Sequence, residues 1–140
     1  MSIVIDASFM LALVFEDERT DELTAVGRRL AIDGGIVPGH WRHEIANSIL
    51  MAVRRKRIDP TRPLAIFAQL NQLRIDVDSS SSEAIWTSAF VLAERLGLTI
   101  YDAAYLELAM RFGRPLASLD KQLRTAARQV GVEVLPEIVA

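Results

Sequence analysis

The chain has no cysteine among its 140 residues. That excludes a disulfide framework, a thiolate nucleophile and a thiolate-ligated zinc site, and it fits a reducing compartment. Charge of one sign is also lacking: 16 Lys and Arg stand against 18 Asp and Glu, a formal net charge of -2 at pH 7. No global basic field gathers polyanions, so any nucleic-acid contact has to come from a local patch or through a bridging cation. Long apolar runs are missing too; none approaches the ~20 residues of a spanning helix. The opening Met1-Ser2-Ile3-Val4-Ile5-Asp6 has neither the charged start nor the apolar stretch of a secretion signal. The expectation is a soluble, cytoplasmic protein with no membrane contact. Low complexity is confined to Ser79-Ser80-Ser81-Ser82, short enough for a loop and a helix cap, and no internal repeat or linker interrupts the chain.

What is present is a chain that is 51% hydrophobic, enough for one globular domain over residues 1–140 with a proper core. Apolar runs of strand length alternate with segments of helical period, the pattern of βαβ units around a parallel sheet. Strands are expected at Ile3-Val4-Ile5, Ile36-Val37, Arg74–Asp78, Leu116-Ala117-Ser118 and Val132-Glu133-Val134. Between them the spacing predicts helices over Ser8–Phe15, Thr20–Ile32 and His40–Arg57, with Trp41, Ile45, Ile49 and Val53 on one side of the last. Asp59-Pro60 opens a further helix carrying Leu64, Phe67, Leu70 and Leu73. The serine run caps one that carries Ile85, Trp86, Ala89, Leu92 and Leu96 up to Gly97. Helices over Tyr101–Phe112 and Lys121–Val130 complete the pattern.

Four acids stand out against it. Asp6, Asp102 and Asp120 each fall where a strand-like run hands over to a helix, and Glu44 lies early in the long helix after Ile36-Val37-Pro38. Taken one at a time, Asp6 and Asp120 read as Asx-turns or N-caps. Asp102, three residues after Thr99, reads as a capping box with Asp in place of Glu. Glu44 fits a cap poorly, and Asn47 at i+3 puts a second polar group on its side of the helix. That pair predicts a buried or cleft-facing polar site. The ends of parallel strands form the ligand crevice of an open α/β sheet. Carboxylates converging there repel; a like pair ~4 Å apart costs roughly 4 kcal/mol at an effective dielectric of about 20. A divalent cation offsets that repulsion, and oxygen-only ligands point to magnesium or manganese. The set therefore reads as a metal-dependent enzyme acting on phosphates. Ser8 and Ser118, two residues from Asp6 and Asp120, supply hydroxyls for a carboxylate, a water or a phosphate, with N-capping as an equal explanation.

Val4-Ile5-Asp6-Ala7-Ser8, Glu44-Ile45-Ala46-Asn47, Leu98-Thr99-Ile100-Tyr101-Asp102-Ala103-Ala104-Tyr105-Leu106 and Pro115-Leu116-Ala117-Ser118-Leu119-Asp120 occur in that order. In this the chain resembles the PIN-domain nucleases, and most closely the VapC-type toxins of prokaryotic toxin–antitoxin pairs. The resemblance covers essentially the whole chain. It implies an α/β fold, a three-layer α/β/α sandwich with a central parallel sheet, and a site-specific endoribonuclease using magnesium or manganese. It implies Asp6, Glu44, Asp102 and Asp120 as the catalytic and metal-site acids, Asn47 as the support of Glu44, and Ser8 and Ser118 as accessory hydroxyls. Many relatives have Thr where this chain has Ser118, which keeps the hydroxyl. A cognate VapB-type antitoxin and a homodimer are the partners it implies, besides the RNA substrate.

Other positions are open between two explanations. Arg54-Arg55-Lys56-Arg57 suits either RNA steering or a solvated helix C-terminus that complements the dipole. Lys121, Arg124 and Arg128, on the helix beginning beside Asp120, line an RNA path or simply face solvent. His40 and His43 read as surface or core histidines before a ligand role. Phe9, Leu11, Leu13, Val14 and Phe15 make a helix apolar nearly all round; core burial explains most of them, and an antitoxin or dimer groove takes the excess. Two rivals with acids at strand ends fit less well. A receiver-like phosphoacceptor domain has adjacent acids after its first strand, whereas Asp6 is followed by Ala7-Ser8. A haloacid-dehalogenase-type phosphatase needs a second Asp where Ser8 stands. The remaining alternative is a PIN-fold RNA- or protein-binding module without cleavage activity.

Overall fold

A computed structural model describes residues 1–138. Its sheet has five strands, all parallel: β1 Ile3–Ile5, β2 Gly35–Val37, β3 Ile75–Val77, β4 Leu116–Ala117 and β5 Val134–Leu135, in the spatial order β3-β2-β1-β4-β5. Val4 pairs with Ile36 on one side and Leu116 on the other. Ile3, Val4 and Ile5 are all fully buried, which requires helices on both faces of the sheet; the expected three-layer sandwich is the fold observed.

The helices are α1 Ala7–Val14, α2 Asp21–Asp33, α3 Trp41–Arg54, α4 Pro63–Asn71, α5 Ser81–Ala84, α6 Ser88–Leu96, α7 Ile100–Phe112 and α8 Lys121–Gln129, with a 3-10 turn at Glu16–Glu18. From β1 the chain steps outward through β2 to β3, then crosses back to β4 on the other side of β1 and continues to β5. The order therefore reverses between β1 and β4. In an open parallel sheet that switch point leaves a crevice beyond the strand ends, and the residues that follow β1 and β4 are Asp6 and Ser118-Leu119-Asp120. Close packing serves the same register. A Cβ on Gly35 would sit 2.6 Å from Ile5 Cδ1, so glycine lets β2 and α2 close against β1.

Several elements depart from the expectation. The helix expected from the serine run to Gly97 is two, because Thr87 leaves the helical region at φ -129°, ψ -104°. Trp86, expected on the apolar face, lies at that break and is 90% exposed. Ser80, the N-cap of α5, makes no capping bond, and Ser81 Oγ instead donates to Asp78 Oδ2 at 2.8 Å. Arg111 of α7 joins this cluster, bonding Asp78 Oδ2 and Glu107 Oε1 at 2.7 Å each. Asp59 and Pro60 do not open α4: the Asp59 carboxylate accepts from Thr61 N and Oγ1 in a local turn, and Pro63 takes the first helical position. The α3 helix stops at Arg54, and Lys56 adopts φ 60°. The last strand begins at Val134 rather than Val132, because Gly131 at φ 77° and the bond from Val132 N to Ala127 O close off α8.

Candidate active site

Asp6 is the N-cap of α1, and only 3% of it is exposed. Its Oδ1 accepts from Ser8 Oγ at 2.7 Å and from Phe9 N at 2.9 Å, and its Oδ2 accepts from Ser118 Oγ. The two serines also accept from the loop after β4: Leu119 N bonds Ser8 Oγ and Asp120 N bonds Ser118 Oγ, both at 3.1 Å. Ser8 and Ser118 thus pin the Asp120 loop to Asp6 across the β1–β4 switch point. Asp120 itself is exposed and caps α8 through Leu123 N at 2.8 Å. The capping explanation of Asp6 and Asp120 holds as local chemistry, and it leaves both carboxylates at the crevice.

Asp102 is half-buried in the first turn of α7, where Thr99 does the capping and accepts from Asp102 N at 3.1 Å. Burial raises the Asp102 carboxyl above its ordinary value, and the negative charges of Asp120 and Glu44 push it further in the same direction. Glu44 is half-buried and reaches the same region from α3. Its Oε1 accepts from Tyr105 Oη at 2.5 Å, and His40 Nε2 lies 3.2 Å away. The imidazole sits off the line a hydrogen bond needs, and Nε2 is left without a bonded partner. Burial is the largest single influence on Glu44 and pushes it up, but His40 and Tyr105 together outweigh it and hold the carboxyl below its ordinary value. Burial and the bond to Glu44 raise the Tyr105 hydroxyl far above its usual range, so it stays a donor.

Asp102 thus feels the charges of Asp120 and Glu44, and Asp6 that of Asp102, but among the described residues no three Asp, Glu or His side chains are close enough together to hold a metal ion. Asn47 is exposed and makes no bond to Glu44. It lines instead a 470 Å³ cleft with Ser8, Ser48, Arg55 and Leu119, so the support expected from Asn47 comes from Tyr105 and His40. One turn of α3 separates Asn47 from Glu44, and of the two only Asn47 lines that cleft. Arg54, Arg55 and Lys121 are exposed. Arg124 is not available to RNA: it is 5% exposed, and its guanidinium donates to the carbonyls of Ser118, Leu135, Pro136 and Glu137. Leu123, Ala126 and Ala127 turn that side of α8 into the core, and Arg124 goes in with them. Arg57 pairs with Asp17 and Glu18 and stacks 3.9 Å over the Phe15 ring. Phe9, Met10 and Ala12 of α1 are core, while Leu11, Leu13, Val14 and Phe15 are partly buried.

The charge state of Asp6 has a measurable consequence. Burial raises its carboxyl from 3.8 to about 6 against the bonds from Ser118, Ser8 and Phe9, with Asp102 adding to the rise. The folded value lies above the unfolded one, so the Asp6 contribution to stability is complete below about pH 4 and is lost as pH rises through about 6. Asp102, shifted the same way, acts in the same direction; Glu44, shifted down, acts oppositely. Urea midpoints measured in chelator across this window are expected to carry a falling component that Asp6→Asn removes. A variant profile as steep as that of wild type would mean that Asp6 is not its source.

The PIN domain family model matches residues 3–129. Ribonuclease VapC3 of Pyrobaculum aerophilum is 30% identical over 124 residues, which span 88% of this chain and 92% of that protein. Among solved structures, PAE2754 from Pyrobaculum aerophilum superposes with a TM-score of 0.69 at 20% identity, covering 96% of this chain and 89% of that one. FitAcB from Neisseria gonorrhoeae superposes with a TM-score of 0.59 at 17% identity, covering 96% and 97%. The two structures show the same fold, and the family match and the VapC3 relative go further: the chain belongs to the PIN domain family and is a VapC-type member of it.

Proposed function

We propose that this protein is a magnesium- or manganese-dependent, site-specific endoribonuclease, the toxin of a VapBC toxin–antitoxin pair, hydrolysing RNA phosphodiesters at Asp6, Glu44, Asp102 and Asp120. The observation that carries the reading is a set of carboxylates gathered at the switch point without cations of their own. Burial, and after it the charges of Asp120 and Glu44, raise Asp102, and burial raises Asp6, yet among the described residues Asp6, Asp102 and Asp120 have no ion-pair partner. Carboxylates held this way by a folded chain favour a cation. Their all-oxygen chemistry suits a hard one. Among the described residues no three Asp, Glu or His side chains form a ready cage. That fits magnesium, which takes one or two protein carboxylates and keeps waters that a phosphate can replace. The name of the VapC3 relative supports RNA as substrate.

When bound, such a cation supplies a bound water of lowered pKa and positive charge for phosphate oxygens. The chain's own residues have separate tasks in this reading. Asp6 and Asp102 would hold the cation, with Glu44 offering a further oxygen and Asp120 completing the field. Ser8 and Ser118 donate to the two oxygens of Asp6 and fix its orientation, and Oδ2 keeps room for a further partner. Arg54, Arg55 and Lys121 line the approach of the RNA backbone, and the cleft of Ser8, Asn47, Ser48 and Arg55 is an exit for the chain beside the acids. A VapB-type antitoxin covers the partly buried apolar residues of α1, and the protein works as a homodimer in the cytoplasm. No helix among the described residues is long and apolar enough to cross a membrane.

The open spacing of the acids also suits a binding module of the same fold, and one experiment separates the two. Partner-free protein is incubated with total cellular RNA and magnesium or manganese, with chelator as control. Discrete cuts lost with chelator are the expected result. No cuts from protein shown to be folded and manganese-bound would replace the enzyme with the binding module.

A further inference from the structure

Glu44 and Asp102 repel, and the Glu44 side chain is 35% exposed, so nothing in its surroundings stops the carboxylate from swinging into water except what holds it. What holds it is Tyr105, which lies on α7 three residues beyond Asp102 and therefore on the same side of that helix. One helix thus carries both the charge that repels Glu44 and the donor that retains it. A bond from a hydroxyl to an ionised carboxylate at 2.5 Å is of the strong, charge-assisted kind. A buried tyrosine needs some acceptor, but a backbone carbonyl would satisfy it at lower cost than a carboxylate already under repulsion. His40 closes the other side, its ring edge-on to Tyr101 and Tyr105 with centroids 5.4 and 5.0 Å away. Both contacts fall on Oε1, and among the described residues no protein group donates to Oε2.

We propose that Tyr105 is a positioning residue for Glu44: its hydroxyl commits Oε1 and leaves Oε2 as the oxygen available to a cation. This rests on the metal-site reading above. Partners behind a metal ligand typically change metal affinity about 10–100-fold when removed, and the lower figure applies here because Glu44 is one of four acids.

The test is manganese binding to the RNA-free protein, followed through the electron paramagnetic resonance signal of free Mn2+. Tyr105→Phe is expected to bind about tenfold more weakly than wild type, and to change nothing further once Glu44→Gln is already present. Unchanged affinity in Tyr105→Phe, or an equal loss in the Glu44→Gln background, overturns the proposal while leaving the metal site standing. Wild-type protein that binds no manganese overturns the metal-site reading and this inference with it. A second readout does not depend on Tyr105→Phe folding. With 3-fluorotyrosine at the two tyrosines, the 105 fluorine resonance should shift on adding Mg2+ to wild type and stay fixed in Glu44→Gln. A resonance that does not respond in wild type overturns the proposal.

Discussion

Asp102→Asn is expected to lower metal-dependent RNA cleavage by about 1,000-fold, roughly 4 kcal/mol of transition-state stabilisation, while the metal-free protein becomes no less stable. The two halves of this result have one cause. Asp102 is half-buried, its carboxyl raised by burial and by Asp120 and Glu44, so its charge is unfavourable to the fold. Asparagine retains the shape and leaves the Thr99 cap untouched, because that bond uses the Asp102 backbone N–H. It removes the charge that a cation needs and the repulsion that the fold bears. Single-turnover cleavage and urea denaturation in chelator, run on the same preparations, check both. Cleavage within tenfold of wild type would remove Asp102 from the mechanism. Lost cleavage together with a clear loss of stability would make its role structural.

The second large effect is on the fold. Arg124→Met is expected to destabilise the protein by about 3 kcal/mol. The guanidinium donates at 2.8 Å to Ser118 O and 2.6 Å to Pro136 O, with longer bonds at 3.3 Å to Leu135 O and Glu137 O. Methionine fills the stem's volume but leaves buried carbonyls without donors, each a loss of about 1–3 kcal/mol when nothing replaces the bond. The cluster also ties the segment after β5 to Ser118, whose hydroxyl holds Asp6. Cleavage should therefore fall as well, without a change in metal specificity. Lys121→Met, one turn earlier on the same helix but exposed, serves as the control and should stay within about 0.5 kcal/mol. A loss below about 1 kcal/mol in Arg124→Met would show that the carbonyls find water, and that the arginine is no clamp.

Arg124 shows where a linear reading stops. In the sequence it shares a helix with Lys121 and Arg128, and all three look like a basic stripe. The apolar signal of Leu123, Ala126 and Ala127 marks the buried side of α8 and was the available hint that Arg124 points inward with them. Its acceptors, at Ser118 and in residues 135–137, become visible with the sheet assembled. The split of the predicted Ser79–Gly97 helix into α5 and α6 has the same character. Propensity and periodicity run on through Ile85-Trp86-Thr87, but the backbone breaks at Thr87 and leaves Trp86 in solvent. Ser81 donates to Asp78 three residues back, and Arg111, 30 residues away, joins the pair. Asn47 was expected on the side of Glu44 from i,i+3 spacing and as its support from the family resemblance, yet spacing sets a helix face, whereas what a side chain meets is set by the neighbouring elements.

What the sequence determined by itself is what depends on short range. Alternation of apolar runs and helical periods specifies a parallel α/β sandwich, because each element must bury its own apolar face. Acids placed directly after strands specify a crevice site, because strand ends and helix starts are covalent neighbours of Asp6 and Asp120. What the tertiary structure decided depends on contacts between distant residues. Ser118 meets Asp6 across 112 positions and Tyr105 meets Glu44 across 61. The first pairing follows from the crossover that sets β4 beside β1, the second from the Tyr105 side chain of α7 reaching Glu44 of α3. Neither leaves a local trace, since a hydroxyl's partner is chosen by proximity in space and not by its neighbours along the chain.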